Sequence, residues 1–346
     1  MEEVGALEMN VEMHTVRENA LELYRKMVRI RLFEEEAIEL AKAGKTRAVV
    51  HTYIGQEAIA VGACSCLTND DYITSTHRGH GHCIAKGADL RKMFAELMGR
   101  ETGYCKGKGG SMHIADLDTG NLGANGIVGG GIPIATGAAT GLLIGKKKHV
   151  VVCFFGDGAS NQGSFHEALN LASIWNLPVV YICENNKYGI STHYSQAVNI
   201  KHIADRAKSY GIPGYTIDGN DVIKVQETVG KAIERCLNGE GPTLIEADTY
   251  RISGHYFGDN ENYRSREEVN EWRQKDPIMR YESYLLQQGG ISKEMLDEIL
   301  GEEKNTVLSA SRKAEQDPEP KVEDMVKDIY ATGFASIIWK PFIKAQ

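Results

Sequence analysis

Val150 to Phe155 (VVVCFF) and Pro178 to Cys183 (PVVYIC) are short apolar runs rich in β-branched and aromatic residues, and both predict buried strands. Between them Ala168, Leu171, Ala172 and Trp175 recur at helical spacing. A strand, helix and strand of this length form a right-handed crossover, so the two strands run parallel in one sheet. Upstream, residues 17–43 read as an amphipathic helix with Ala20, Leu23, Tyr24, Met27 and Ile38 on its apolar stripe. Residues 55–67 predict an apolar helix, 72–74 a strand and 89–98 a helix. A helix rich in small residues starts near Gly131 or Pro133. Downstream come a strand at 215–218, a helix at 221–237 and a last strand at 243–249. Residues 251–266 lack periodicity and read as a functional loop, whereas 267–330 are charged and helical. The pattern predicts an α/β fold, doubly wound, with a mainly parallel sheet flanked by helices and helical extensions at both ends. The expected division is an N-terminal helical segment (1–43), an α/β domain (44–266), its helical C-terminal part (267–332) and an apolar tail (333–346).

With 346 residues, 42% of them hydrophobic, the chain can bury a full core. A net charge of −8, with no basic run longer than Lys146 to Lys148, argues against a nucleic-acid partner. No apolar stretch reaches the ~20 residues needed to span a bilayer. The acidic N-terminus (Glu2, Glu3, Glu8, Glu12) is the reverse of a transit peptide. Seven scattered cysteines, with no second pair beside Cys64 and Cys66, predict reduced thiols and a cytoplasmic location. The tail GFASIIWKPFIKAQ would be an apolar patch in solvent, so it docks on its own chain or a partner, or is foreign to the natural sequence.

Chemistry concentrates where the two central strands end. Asp157 follows the first and Asn186 the second, so both lie on the rim where open α/β sheets bind ligands. A carboxylate, an amide oxygen and turn carbonyls are hard donors suited to Mg²⁺ or Ca²⁺. Gly156 and Gly158 let the backbone approach a diphosphate. GDG by itself fits an ordinary glycine-rich turn equally well. Followed 29 positions later by Asn186 across a predicted crossover, it resembles the signature of thiamine diphosphate enzymes. The motifs GQEA, HRGHG, GKGGSMH, GANGIVGGGIP, GDGASNQG and CENNKYG then occur in order. Together, over residues 17–332, they resemble the alpha subunit of the decarboxylating component of a 2-oxo acid dehydrogenase complex. GKGGSMH argues against the branched-chain type. LDTGNLGANGIVGGG with GHYFGD resembles the acetoin dehydrogenase alpha subunit more than the pyruvate enzyme.

This resemblance implies thiamine diphosphate and Mg²⁺ as cofactors. It implies Asp157, Asn186 and the Tyr188 carbonyl as metal ligands, with the Gly158 and Ala159 amides near the diphosphate. His77 and Arg78 match a Tyr-Arg pair beside the diphosphate, with His replacing Tyr. Gly126 and Val128 match positions lining the aminopyrimidine. His51 matches a histidine at the substrate end of the channel, and His255 a loop histidine that closes over the centre and exchanges protons. Asp259, Arg264 and Arg266 are expected to order that loop by pairing. Tyr256 stands where mitochondrial relatives carry a regulatory serine. The family's activating glutamate comes from a separate beta subunit, which implies an α₂β₂ heterotetramer serving a lipoyl-bearing dihydrolipoyl acyltransferase core. The implied reaction cleaves acetoin, releases acetaldehyde and passes a two-carbon unit to the lipoyl arm; the alternative is decarboxylation of pyruvate. A nicotinamide-dependent oxidoreductase is disfavoured, because Gly129-Gly130-Gly131 does not follow a strand with GxGxxG spacing.

Overall fold

The computed structural model describes residues 2–287 and 290–328, with side chains from residue 17 onward. The tail read at 333–346 therefore lies outside the described residues. In chain order the helices are α1 (Glu2–Lys42), α2 (Glu57–Cys64), α3 (His80–Lys86), α4 (Leu90–Leu97), α5 (Gly131–Ile144), α6 (Gly163–Ile174), α7 (Tyr194–Ala197), α8 (Val222–Leu237), α9 (Arg266–Arg273), α10 (Pro277–Gln287) and α11 (Lys293–Glu315). The strands are β1 (Tyr72–Thr74), β2 (Val151–Gly156), β3 (Val179–Asn185), β4 (Tyr188–Gly189), β5 (Thr192–His193), β6 (Gly214–Asp218) and β7 (Thr243–Asp248). Five of them form one sheet in the order β1-β2-β3-β7-β6, with every neighbouring pair parallel. The expected α/β fold with a parallel sheet is what forms.

Period-two alternation explains why the central strands are apolar at every position. Val152 and Phe154 of β2, Val180 and Ile182 of β3 and Ile245 of β7 enter a core shared with α1 to α4, α8, α10 and α11. Val151, Cys153 and Phe155, Val179 and Tyr181, and Leu244 enter the opposite core, shared with α5 and α6. Asp221 caps α8 by accepting from the amides of Ile223 and Lys224.

Three local expectations change. The buried stripe of α6 is Phe165, Ala168, Leu169 and Ala172, while Trp175 caps the helix and is half exposed. The helix ends at Ile174, so Trp175 falls at its cap, beyond the last turn that packs on the core. Second, HRGHGH is not merely a connection: its second half opens α3. Gly81 is required there by packing, since a Cβ would stand 2.2 Å from the Tyr53 ring. Third, Tyr188 to His193 form a small antiparallel hairpin, too short for period-two patterning to reveal.

Candidate active site

Parallel pairing sets the two central strand ends abreast, with Gly156 of β2 in register with Glu184 of β3. Asp157 opens the 3-10 turn Asp157–Asn161 directly after β2, and Asn186 follows β3. Both face a cavity of about 470 Å³ at the carboxyl edge of the sheet. Its lining includes every metal, cofactor and catalytic candidate named from the sequence, His51, His77, Arg78, Gly126, Val128, Asp157, Gly158, Ala159, Asn186, Tyr188 and His255, whereas Tyr256, Asp259, Arg264 and Arg266 lie outside it. Residues up to 204 positions apart in sequence (51 to 255) thus meet in one site.

The metal-type donors are held ready. Burial pushes the Asp157 carboxyl up to about 6. Asn186 is buried, its Nδ2 donates to Oε1 of Gln56 at 3.1 Å, and its Oδ1 has no partner among the described residues. Lys187 adopts φ 78°, a left-handed conformation unusual for a side-chain-bearing residue, and so turns the chain between Asn186 and Tyr188. Its ammonium pairs with Asp248 at the end of β7.

Two buried guanidiniums line the same cavity. Arg78 donates to the carbonyls of Thr52 and, at 3.0 Å, of His255. Arg251 donates to the carbonyls of Tyr188 at 3.3 Å and Ile190 at 2.7 Å, and to the Tyr263 hydroxyl at 2.7 Å. Neither makes an ion pair with a carboxylate among the described residues. Desolvation, followed by repulsion from Arg251, brings Arg78 down to about 9. Two buried cations whose partners among the described residues are all neutral make a strongly electropositive wall, suited to an anion.

Three imidazoles stand over this wall. The ring centroids of His51 lie 5.1 Å from His77 and 5.0 Å from His255, and His77 and His255 are 5.5 Å apart. Burial and the nearby Arg78 charge depress all three, to about 3 for His51, about 2 for His77 and about 4 for His255. They are neutral at physiological pH and able to accept a proton. Nδ1 of His51 has no hydrogen-bond partner among the described residues, whereas Nδ1 of His255 lies 3.2 Å from Arg251.

The loop carrying His255 is ordered by a chain of bonds. Asp259 accepts from the His255 amide at 2.7 Å and the Tyr263 hydroxyl at 2.6 Å. Arg264 pairs with Glu261 at 2.7 Å and donates to the carbonyls of Arg251 and Ile252. Phe257 N donates to the Val50 carbonyl at 2.9 Å, which ties the loop to the segment carrying His51. Arg266, expected to share in this ordering, is exposed at the start of α9 and makes no ion pair among the described residues. Val128 and Ile127 are exposed at the rim (48% and 74%), and Gly126 lies beside His113.

Sequence reasoning missed Arg251, Gln56 and Glu184. The only available signal for Arg251 was an arginine just past a buried strand. Gln56 lay inside the quoted GQEA motif with no chemistry attached. Glu184 also lines the cavity, bonded to the Tyr53 hydroxyl and 3.0 Å from Nε2 of His82, whose Nδ1 meets Ser75 at 2.8 Å.

Comparison with known proteins agrees with this geometry. Residues 25–323 match the family described as dehydrogenase E1 component. The alpha subunit of the acetoin:2,6-dichlorophenolindophenol oxidoreductase of Bacillus subtilis is 50% identical over 91% of this chain and 94% of its own length. Its counterpart from Cupriavidus necator is 44% identical over 91% of this chain and 95% of its own. The pyruvate dehydrogenase E1 component subunit alpha of Rhizobium meliloti is 40% identical over 90% of each. The chain therefore belongs to the family of dehydrogenase E1 components, and of these three relatives the two acetoin-oxidising subunits resemble it more than the pyruvate one.

Proposed function

We propose that this chain is the alpha subunit of a thiamine diphosphate- and Mg²⁺-dependent enzyme that cleaves acetoin, releases acetaldehyde and passes a two-carbon unit to a lipoyl arm. As a dehydrogenase E1 component it is part of an oxidoreductase. The observation that carries the reading is one cavity lined by Asp157 and by Asn186, whose Oδ1 is unbonded among the described residues, together with buried Arg78 and Arg251. Hard oxygen donors beside an electropositive wall fit a metal–diphosphate group.

In this reading Asp157, Asn186 and the Tyr188 carbonyl hold Mg²⁺. Arg251 already donates to that carbonyl, and a carbonyl oxygen has a second lone pair for the ion. Arg78 and the amides of Gly158 and Ala159 hold the diphosphate, with His77 beside them. Gly126 and Val128 border the aminopyrimidine. When bound, thiamine diphosphate supplies the electron sink that takes up charge as the donor's carbon–carbon bond breaks. Neutral His51 and His255 exchange protons with the donor, and the ordered loop excludes water from the reacting atoms.

The reading also calls for partners. One stripe of α5, comprising Ile134, Gly137, Gly141 and Ile144, is apolar and exposed, and a Cβ at either glycine would meet nothing within 4 Å. A helix with such a face is suited to close packing against another subunit. We assign a beta subunit in an α₂β₂ heterotetramer, with the cofactor between subunits and an acyltransferase core receiving the product. No described helix is long and apolar enough to cross a membrane. Seven unpaired cysteines support a reducing, cytoplasmic setting. Pyruvate is the second reading, supported by the 40% identical pyruvate dehydrogenase relative. The test is turnover of the reconstituted alpha–beta pair with an artificial acceptor, comparing kcat/KM for acetoin and pyruvate. A preference for pyruvate would overturn the acetoin reading, and activity without beta subunit would overturn the half-site reading.

A further inference from the structure

Asn186 has an amide with one face of each polarity, and a cation site needs the oxygen. Its backbone is fixed on both sides: the amide donates to the Glu184 carbonyl at 2.8 Å, and its carbonyl accepts from Arg251 N at 3.3 Å. What remains free is the side-chain rotation that exchanges Oδ1 for Nδ2. One side-chain bond acts on that rotation, from Nδ2 to Oε1 of Gln56 at 3.1 Å. Gln56 is fully buried at the N-cap of α2, where its backbone N–H donates to the Tyr53 carbonyl at 3.1 Å, and its side-chain Nε2 has no partner among the described residues. While Gln56 offers its oxygen, Nδ2 of Asn186 is engaged and Oδ1 is left buried without a partner among the described residues, on a residue that lines the cavity.

We propose that Gln56 is a positioning residue that keys the Asn186 amide, so that its oxygen faces the cation. This rests on the metal reading given above. The amide pair works as an acceptor-to-donor lock: an acceptor at position 56 keeps the key in place, and loss of the acceptor frees the amide to present N–H groups, which repel a cation.

The test uses the alpha–beta complex with thiamine diphosphate, and Mn²⁺ as the probe, free ion being followed by electron paramagnetic resonance. Gln56→Met keeps volume and removes the acceptor, whereas Gln56→Glu keeps an acceptor and no donor. Removing an outer-shell partner of this kind weakens metal affinity roughly 10- to 100-fold. We expect that loss for Gln56→Met and near wild-type affinity for Gln56→Glu. Wild-type affinity in Gln56→Met overturns the proposal, as does an equal loss in both variants, which would assign Gln56 to packing. Should Gln56→Met fail to fold, a loss of affinity in folded Gln56→Glu still overturns it and retention upholds it. Asp157→Asn separates the two levels. If the wild type binds no Mn²⁺, or Asp157→Asn binds it equally well, the metal reading itself fails.

Discussion

Arg251 Nη1 stands 3.3 Å from the Tyr188 carbonyl and 3.2 Å from Nδ1 of His255, so one buried cation joins the turn after β3 to the loop over the site. Its planar fork also reaches Ile190 and Tyr263. Lysine carries the charge without the fork. Arg251→Lys is expected to leave at least one buried oxygen unpaired, at a cost of about 1–3 kcal/mol each. Hydrogen exchange across residues 254–264 should accelerate, and kcat/KM of the reconstituted enzyme should fall. Unchanged exchange in that loop would remove Arg251 from its ordering.

The imidazole cluster sets a pH dependence. His51, His77 and His255 are held below the usual histidine value by burial and by Arg78, so the folded state favours their neutral forms. Unfolding frees them to bind protons as pH falls below ~6.5. Stability is therefore full above that value and declines on acidification through about 4, with a slope of up to about 1.4 kcal/mol per pH unit for each group. Asp157, pushed up to about 6, opposes them as one group against three. Urea denaturation at pH 7.5, 6 and 5 checks the sign, and His51→Gln with His255→Gln should flatten the slope.

Glu96, fully buried at the end of α4, accepts four backbone bonds at 2.7–3.0 Å, from Cys105, Gly107, Gly109 and Gly110. This carboxylate holds the loop that carries Met112 to the cavity. Glu96→Gln replaces one accepting oxygen by a donor facing two N–H groups. The expected loss is roughly 2–4 kcal/mol, read by chemical denaturation. A loss below about 0.5 kcal/mol would mean that the loop is ordered without it.

The α5 face gives a prediction with opposite signs. Gly137→Ala and Gly141→Ala place a methyl in open space within a helix, so each should stabilise the isolated chain by up to about 1 kcal/mol. The same methyls should obstruct close packing and weaken assembly with the beta subunit, measured by sedimentation. Undiminished assembly would move the interface away from this face.

The unequal legibility of the chain has physical causes. β2, β3 and the rim position of Asp157 and Asn186 could be read because continuous apolar runs and the crossover rule fix strand direction locally. The start of α3 could not, because His80 and His82 are fully buried yet carry no apolar signal. They are satisfied by partners distant in sequence, Glu34 and Ser111 for His80, Glu184 and Ser75 for His82. Arg251 was missed for the same reason: two of its partners, Tyr188 and Ile190, lie 63 and 61 positions upstream on a turn that only the fold brings to it.

The bond from Phe257 N to the Val50 carbonyl uses main-chain atoms alone. The loop thus keeps its position with no demand on the side chains of Tyr256 and Phe257, which remain partly exposed. Those two positions can vary without loss of that bond, and the Tyr256 ring lies 6.3 Å from that of His51 and 6.1 Å from that of His255. Anchorage and surface are thereby separate properties of this loop: the main chain pins it, and the side chains at 256 and 257 are left to shape what surrounds the imidazoles.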